Sequence, residues 1–211
     1  MDKIQLLLMG IIPLILAITL HEAAHGWVAK KFGDNTAYSQ GRVTLNPISH
    51  IDPIGTILLP GFLFLMSGFI FGWAKPVPVQ FGNLRKPKLH SIYVAAAGPI
   101  ANLLMAILWA ILFYFTKGSY IDNLLTVSEI SKIGVTMNLV FMLFNLIPIL
   151  PLDGGRIVQG MLPIKQSIEF GKIEPYGIYI VFGLALLGLI SPILWPIVNF
   201  LSTILFLTWL V

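Results

Sequence analysis

The stretch Ile4–Val28, IQLLLMGIIPLILAITLHEAAHGWV, decides how this chain is read. It is long enough to cross a bilayer, for which about 20 predominantly apolar residues suffice. Yet it carries His21, Glu22 and His25 near its C-terminal end. Ionisable groups at membrane depth cost roughly 2.5–3.5 kcal/mol each for Asp, Lys or Arg, so a purely structural helix gains nothing from them. Residues four apart share one helix face, and the two imidazoles can therefore grip a single metal ion. Glu22, beside the first ligand, reaches water at that metal as a general base. The stretch predicts an active site built within the membrane.

Composition agrees with that setting. The chain has 211 residues, 57% hydrophobic and 10% charged, with mean hydropathy +0.89. Soluble domains average about 25% charged residues, so the sequence reads as a multi-pass membrane protein folded as one domain, 1–211. The net charge is only +4, and the basic residues are scattered. They serve as orientation signals rather than as a nucleic-acid surface. There is no cysteine, which excludes disulfides, thiolate ligands and thiol nucleophiles. Met1-Asp2-Lys3 followed by apolar residues superficially resembles a signal peptide. The apolar run continues into the histidines without a small-residue cleavage site, so it is read as a retained span.

Five further apolar stretches follow: Ile54–Trp73, Ser91–Thr116, Ile133–Leu150, Tyr176–Ile190 and Ile193–Val211. The expected fold is an all-α polytopic membrane protein of about five to six transmembrane helices. The last two stretches are near the minimum for spanning, about 17 residues, and read as two short spans or one broken hairpin over about 176–211. Thr36–Leu45 and Pro76–Phe81 read as extended, β-like loops near the active site, the prolines of the second confining it to a sheet edge. No repeat or second domain is visible.

Basic residues test the topology. A single crossing by Ile54–Trp73 divides the Lys and Arg residues five against eight, a weak bias. A re-entrant Ile54–Trp73 places loops 29–53, 74–90 and 151–175 together, with ten basic residues against three. The re-entrant reading is preferred, with the basic side cytoplasmic.

A catalytic zinc takes three protein ligands and an open position. Val28 occupies the position where metzincins place Gly. Gluzincin-type sites take a downstream Glu, and Glu129, Glu169 and Glu174 read as loop residues. The best third ligand is Asp153, just past an apolar helix, where Pro148, Pro151, Gly154 and Gly155 keep the backbone from being a simple helix. Irregular backbone at membrane depth is tolerated where it is buried in protein or lines a cavity. His25 and Asp153 each follow a helix toward its C-terminal end, so both ends must face one side. The re-entrant topology satisfies this, and the single crossing does not.

At this point the chain resembles the site-2 proteases, peptidase family M50. The resemblance rests on His21–His25 in the first span, on Ala96-Ala-Gly-Pro-x-x-Asn102, and on Asn145-x-x-Pro-x-x-Pro-Leu-Asp153-Gly-Gly. The segments Gly41–Thr56 and Gly72–Val79 resemble its compact prokaryotic branch without PDZ or CBS domains. The likeness covers Thr19 to about Ile157, a catalytic core of about 4–157. It implies one zinc per chain, held by His21, His25 and Asp153, with Glu22 as catalytic base. Asn145 matches a family position that holds the oxyanion. The implied activity is zinc metalloendopeptidase cleavage of transmembrane protein substrates in the cell membrane, with the site within the bilayer toward the cytoplasm.

Plainer readings stand beside these. Asn145 can simply bond a neighbouring helix, and Ala95–Gly98 can serve close helix packing. His50 and His90 read as interfacial, Asn46 and Asn102 as structural, and Trp195 and Trp209 as membrane-interface anchors. The rival function is a non-enzymatic membrane zinc protein, a transporter or sensor. A transporter is expected to show repeated halves, and a mere binding site has no use for Glu22.

Overall fold

A computed structural model describes residues 3–58, 61–62, 74–118 and 122–207. Helix α1 spans Lys3–Lys31. It stops where Gly33 takes φ +111°, a left-handed value that costs Gly little. The Asp34 N–H then reaches Ala29 O at 3.0 Å and the Gly33 N–H reaches Lys30 O at 3.2 Å. This double closure satisfies carbonyls of the last turn. Lys30 and Lys31 lie in that turn, where cations complement the helix dipole.

A short helix α2, Thr36–Ser39, follows. Thr36–Leu45 was expected to be extended, and its first four residues are helical instead. Asp34 causes this: its carboxylate accepts from the Thr36 N–H at 3.0 Å and closes a turn. Asn46 caps a 3₁₀ turn at Pro47–His50 by accepting from the Ile48 N–H. Asp52 caps the π turn Pro53–Leu58 through the N–H groups of Ile54 and Gly55. Most of the stretch Ile54–Trp73 lies outside the described residues. Residues 74–80 have no regular secondary structure, Phe81 of the expected extended loop opens a 3₁₀ turn at Phe81–Asn83, and no strand occurs among the described residues.

Helices α3, Pro87–Thr116, and α4, Asp122–Asn145, complete the central layer. The sequence placed the start of α4 at Ile133. The helix begins eleven residues earlier because a helix can leave the apolar zone with polar residues on its surface. Glu129 and Lys132 pair there at 2.7 Å. It ends at Asn145, ahead of Pro148 and Pro151. Helices α1 and α3 are antiparallel: Asn102 meets Ala17 and His21, Val94 meets His25, and His90 stacks on Phe32 at 4.1 Å. Helices α3 and α4 are also antiparallel, Asn102 meeting Asn138 while Gly134 lies against Trp109. The C-terminal ends of α1 and α4 therefore lie at the same end of the layer.

Two polar helices follow that the apolar pattern did not announce, α5 (Asp153–Met161) and α6 (Ile164–Gly171). Helices α7 (Glu174–Leu186) and α8 (Ser191–Leu207) are bent by 81° at their junction, where Gly188 has φ +70°. Among the described residues three helices are long and apolar enough to cross a membrane, Leu8–Lys31, Pro87–Thr116 and Leu124–Asn145. The bent α7–α8 pair brings this to four if it counts as one span. The apolar core joins α3, α4 and α8 through Trp109, Val135, Leu139, Met142 and Val198.

Candidate metal centre

Where α1 and α3 pass and α5 begins, three ligand-type side chains converge. His21, His25 and Asp153 each offer an atom within 4.8 Å of the others. The helical spacing of the two histidines turns both rings toward α3, and each ring gives its Nδ1 proton away. His21 Nδ1 donates to Asn102 Oδ1 at 2.6 Å, and His25 Nδ1 donates to Val94 O at 2.7 Å. In the neutral rings each Nε2 is then left with a lone pair.

Those lone pairs point at one another. The two Nε2 atoms are 3.0 Å apart, His21 Nε2 lies 3.2 Å from Asp153 Oδ2, and His25 Nε2 lies 3.4 Å from Asp153 Oδ1. With both protons on Nδ1, none of these contacts is a hydrogen bond. Asp153 Oδ2 is buried without a hydrogen-bond donor, which is costly for an acceptor. A cation among them removes the conflict. Ligands at about 2.0–2.2 Å from a tetrahedral zinc stand about 3.3 Å from each other, close to the Nε2–Nε2 and His21 Nε2–Asp153 Oδ2 separations, while His25 Nε2 approaches the other carboxylate oxygen. Two imidazoles and one carboxylate with a fourth direction open also form the donor set of a catalytic zinc site.

Close backbone approach shapes the pocket. A Cβ at Gly98 would collide with the rings of both histidines, so only glycine lets α3 pass this near. Asp153 is aimed by its neighbours. Residues 146–152 are irregular, with a cis bond at Leu150–Pro151. The sequence predicts non-helical backbone through Gly154 and Gly155, but α5 starts at Asp153 and contains both. Their missing side chains let the first turn of α5 lie on the backbone of Leu146–Leu150.

Glu22 lies on α1 beside His21, and its Oε2 accepts the Val77 N–H at 2.7 Å. The segment 74–80 thus holds the carboxylate. The same segment is anchored further on by the Gln80 N–H, which donates to Asp34 Oδ2 at 2.7 Å. Burial opposes charge on Asp34, but hydrogen bonds from Thr36, Gln80 and Asn83 outweigh it and hold the carboxyl below the usual carboxylate range. Asn145 Nδ2 donates to Phe141 O at 3.0 Å within its own helix.

Other sequence expectations land elsewhere. Glu129, Glu169 and Glu174 are helical rather than in loops, and pair with Lys132, Lys172 and Arg156. His50 and His90 are buried within the protein. His50 Nε2 donates to Thr44 O, and His90 Nδ1 accepts from the Lys86 N–H. Trp195 is exposed, and Trp209 lies outside the described residues. Asn102, read as structural, is the residue the sequence undervalued. The available signal was an amide in the middle of a span, where polar groups find partners between helices.

The sequence profile of Peptidase family M50 matches residues 9–136 and 122–188. YwhC of Bacillus subtilis (strain 168), which carries a zinc metalloprotease name, is 41% identical over 193 residues, covering 90% of this chain and 85% of its own length. Rip2 of Mycolicibacterium smegmatis, named likewise, is 28% identical over 79% of this chain and 62% of its own. Zinc metalloprotease MJ0392 of Methanocaldococcus jannaschii is 26% identical over 74% of this chain and 35% of its own. No solved structure matches the chain significantly.

Proposed function

The chain belongs to peptidase family M50, and on that premise we propose that His21, His25 and Asp153 hold one zinc ion while Glu22 is the general base of peptide hydrolysis. The protein is an intramembrane zinc metalloprotease acting on membrane-protein substrates in a bilayer. The observation that carries the residue assignment is the convergence of two Nε2 lone pairs and an unpartnered carboxylate oxygen, with both Nδ1 protons donated elsewhere.

Zinc supplies a Lewis acid that lowers the pKa of its water from about 15.7 to about 7. Glu22 takes a proton from the attacking water as oxygen bonds to the scissile carbonyl carbon. It then gives a proton to the amine as the C–N bond breaks. Val77 holds one carboxylate oxygen and thereby fixes the direction of the other. Asn145 has two amide hydrogens. One is engaged by Phe141 O, and the second is the candidate donor to the oxyanion. A non-enzymatic zinc protein has no use for a carboxylate held beside the ligands.

Topology follows the same reading. Because α1 and α3 are antiparallel neighbours, residues 32–86 leave and rejoin them at one end, which supports a re-entrant 54–73 within five to six spans. The ten-to-three basic asymmetry supports a cytoplasmic position for that end and for the metal site. Single cysteines at Gln40, Lys88 and Lys172 are expected to share one accessibility to an impermeant thiol reagent in cells. Opposite accessibility at Gln40 and Lys88 would rule the arrangement out.

The central test is Glu22→Gln, read by zinc content and by cleavage of a transmembrane substrate in detergent. Stoichiometric zinc with cleavage lowered about 10²–10⁴-fold is expected for loss of a general base. Loss of zinc would make Glu22 a ligand, and full cleavage would overturn its role. Asp153→Ala is expected to lose zinc. Tight zinc in that variant would place the third ligand elsewhere.

A further inference from the structure

We infer that Asn138 and Asn102 form a positioning pair that sets the proton of His21, so that Asn138 on α4 acts on a metal ligand it does not touch. The inference rests on the zinc-ligand assignment of His21.

The argument follows hydrogen-bond direction. Asn138 Nδ2 reaches Gly134 O at 2.9 Å. A backbone carbonyl can only accept, so the nitrogen of Asn138 must face it, and Asn138 Oδ1 faces the other way. That oxygen meets Asn102 Nδ2 at 3.1 Å. The same Asn102 nitrogen reaches Ala17 O at 3.2 Å. Both hydrogens of the Asn102 amide are therefore committed to acceptors, and its Oδ1 is left to face His21 Nδ1 at 2.6 Å. An oxygen there requires the proton on Nδ1, which in the neutral ring leaves the lone pair on Nε2, the form a metal needs.

The opposite arrangement fails at two places. Turning the Asn102 amide over would set its oxygen against Ala17 O and Asn138 Oδ1, two acceptors, and present hydrogens to His21. Both asparagines are fully buried, so water offers no relief, and an unsatisfied amide there is costly. Direction thus runs one way, from Gly134 O through two side chains to the ligand. His25 differs. Its Nδ1 meets the backbone carbonyl of Val94, which fixes the proton without any side chain. Only one of the two imidazoles depends on residues that mutation can remove.

The experiment measures zinc affinity by chelator competition on the full-length protein in detergent, for wild type, Asn102→Leu, Asn138→Leu and the double variant. Asn102→Leu keeps similar volume but no acceptor, and is expected to weaken zinc about 10–100-fold, the usual effect of losing a partner of a ligating His. Asn138→Leu is expected to weaken it less, because Ala17 O still orients Asn102. If Asn138 acts through Asn102, adding Asn138→Leu to Asn102→Leu changes zinc affinity no further. A structural role independent of Asn102 would give additive losses and overturn the pair. Unchanged affinity in Asn102→Leu would also overturn it. Should Asn102→Leu not fold, Asn138→Leu decides alone, since it leaves every metal-facing atom in place and an unchanged affinity there refutes control from α4. Cobalt absorption supplies a second readout: Asn102→Leu is expected to alter the d–d bands of the cobalt-substituted protein. The zinc assignment fails separately, if wild type binds no zinc or if His21→Ala leaves its affinity intact.

Discussion

The α1–α3–α4 layer and α8 are both built of apolar helices, yet they use polar side chains differently. The central layer holds bonds within a helix, such as Asn138 to Gly134 O and Asn145 to Phe141 O, and adds bonds across helices: His21 to Asn102, Asn102 to Asn138, and His25 to Val94. In α8 polar side chains bond within the helix, Ser202 Oγ to Val198 O and Thr203 Oγ1 to Asn199 O. A bond within a helix is satisfied wherever that helix sits. A bond across helices is satisfied in one register only, and a slip leaves buried amides unpaired. The central layer is therefore tied to one arrangement; exposed apolar side chains occur on both regions, among them Leu104 and Leu108 on α3 and Tyr179, Leu186 and Ile193 on α7 and α8.

The sharpest way to break this comparison is to force the central layer apart. Gly98→Ala puts a methyl group onto both imidazoles. Zinc is expected to fall below stoichiometric amounts, with cleavage reduced by about 10²-fold or more, the cost of roughly 1 Å of misplacement. Full zinc and activity in that variant would mean that α3 does not pass the histidines this closely. A smaller effect is expected where the two regions touch. A Cβ at Gly177 on α7 would collide with the backbone of Leu150, three residues before Asp153. Gly177→Ala is expected to weaken zinc roughly tenfold, at the low end for losing support of a ligand. Chelator competition measures it, and no change would leave α7 without influence on the site.

Legibility in the sequence divides along the same line. The convergence of His21, His25 and Asp153 could be read because two histidines four apart share a helix face, because charge inside an apolar run needs a reason, and because Asp153 follows a Pro- and Gly-rich break past an apolar helix. The antiparallel order of α1 and α3 was implied by the need to bring His25 and Asp153 to one end. What could not be read was set by tertiary contact. The polar start of α4 carries no apolar signal, and the short helices α5 and α6 are held by what they pack on. Gly154 and Gly155 argue against a helix by propensity, yet a helix there lets backbone lie on backbone. The partner of His21 was hidden because nothing local says which helix Asn102 faces.

A milder perturbation lies at the end of α1. Asp34 is fully buried and accepts from Thr36, Gln80 and Asn83, so it ties segment 74–80 to the helix that bears the site. Asp34→Asn is expected to lower stability by about 1–3 kcal/mol, since buried groups lose partners. Cleavage is expected to fall a few-fold, through a looser Val77–Glu22 contact, while zinc stays bound. The sign with pH follows from the lowered carboxyl. Its contribution is present above the ordinary Asp pKa of about 3.9 and is lost as pH falls through the lower folded value. Thermal unfolding should therefore separate wild type from Asp34→Asn near neutral pH, and the gap should narrow below about pH 4. A gap that widened in acid would show that the native fold prefers the protonated group.

The smallest effect is expected in α8, and it is the control on which the comparison stands. Ser202 Oγ donates to Val198 O at 2.7 Å, four residues back in the same helix. Removing the hydroxyl leaves a carbonyl that keeps its place in the helix ladder and so loses little. Side-chain hydrogen bonds within membrane proteins average only about 0.6 kcal/mol even between helices. Ser202→Ala should therefore change stability by less than about 0.5 kcal/mol and leave zinc affinity at the wild-type value. Set beside Asn138→Leu, it contrasts two polar residues, neither of which touches the metal site. They differ in whether the bond crosses to another helix. If Ser202→Ala weakened zinc as much as Asn138→Leu, the crossing of a bond to another helix would not be what matters to the site, and α8 would belong with the central layer.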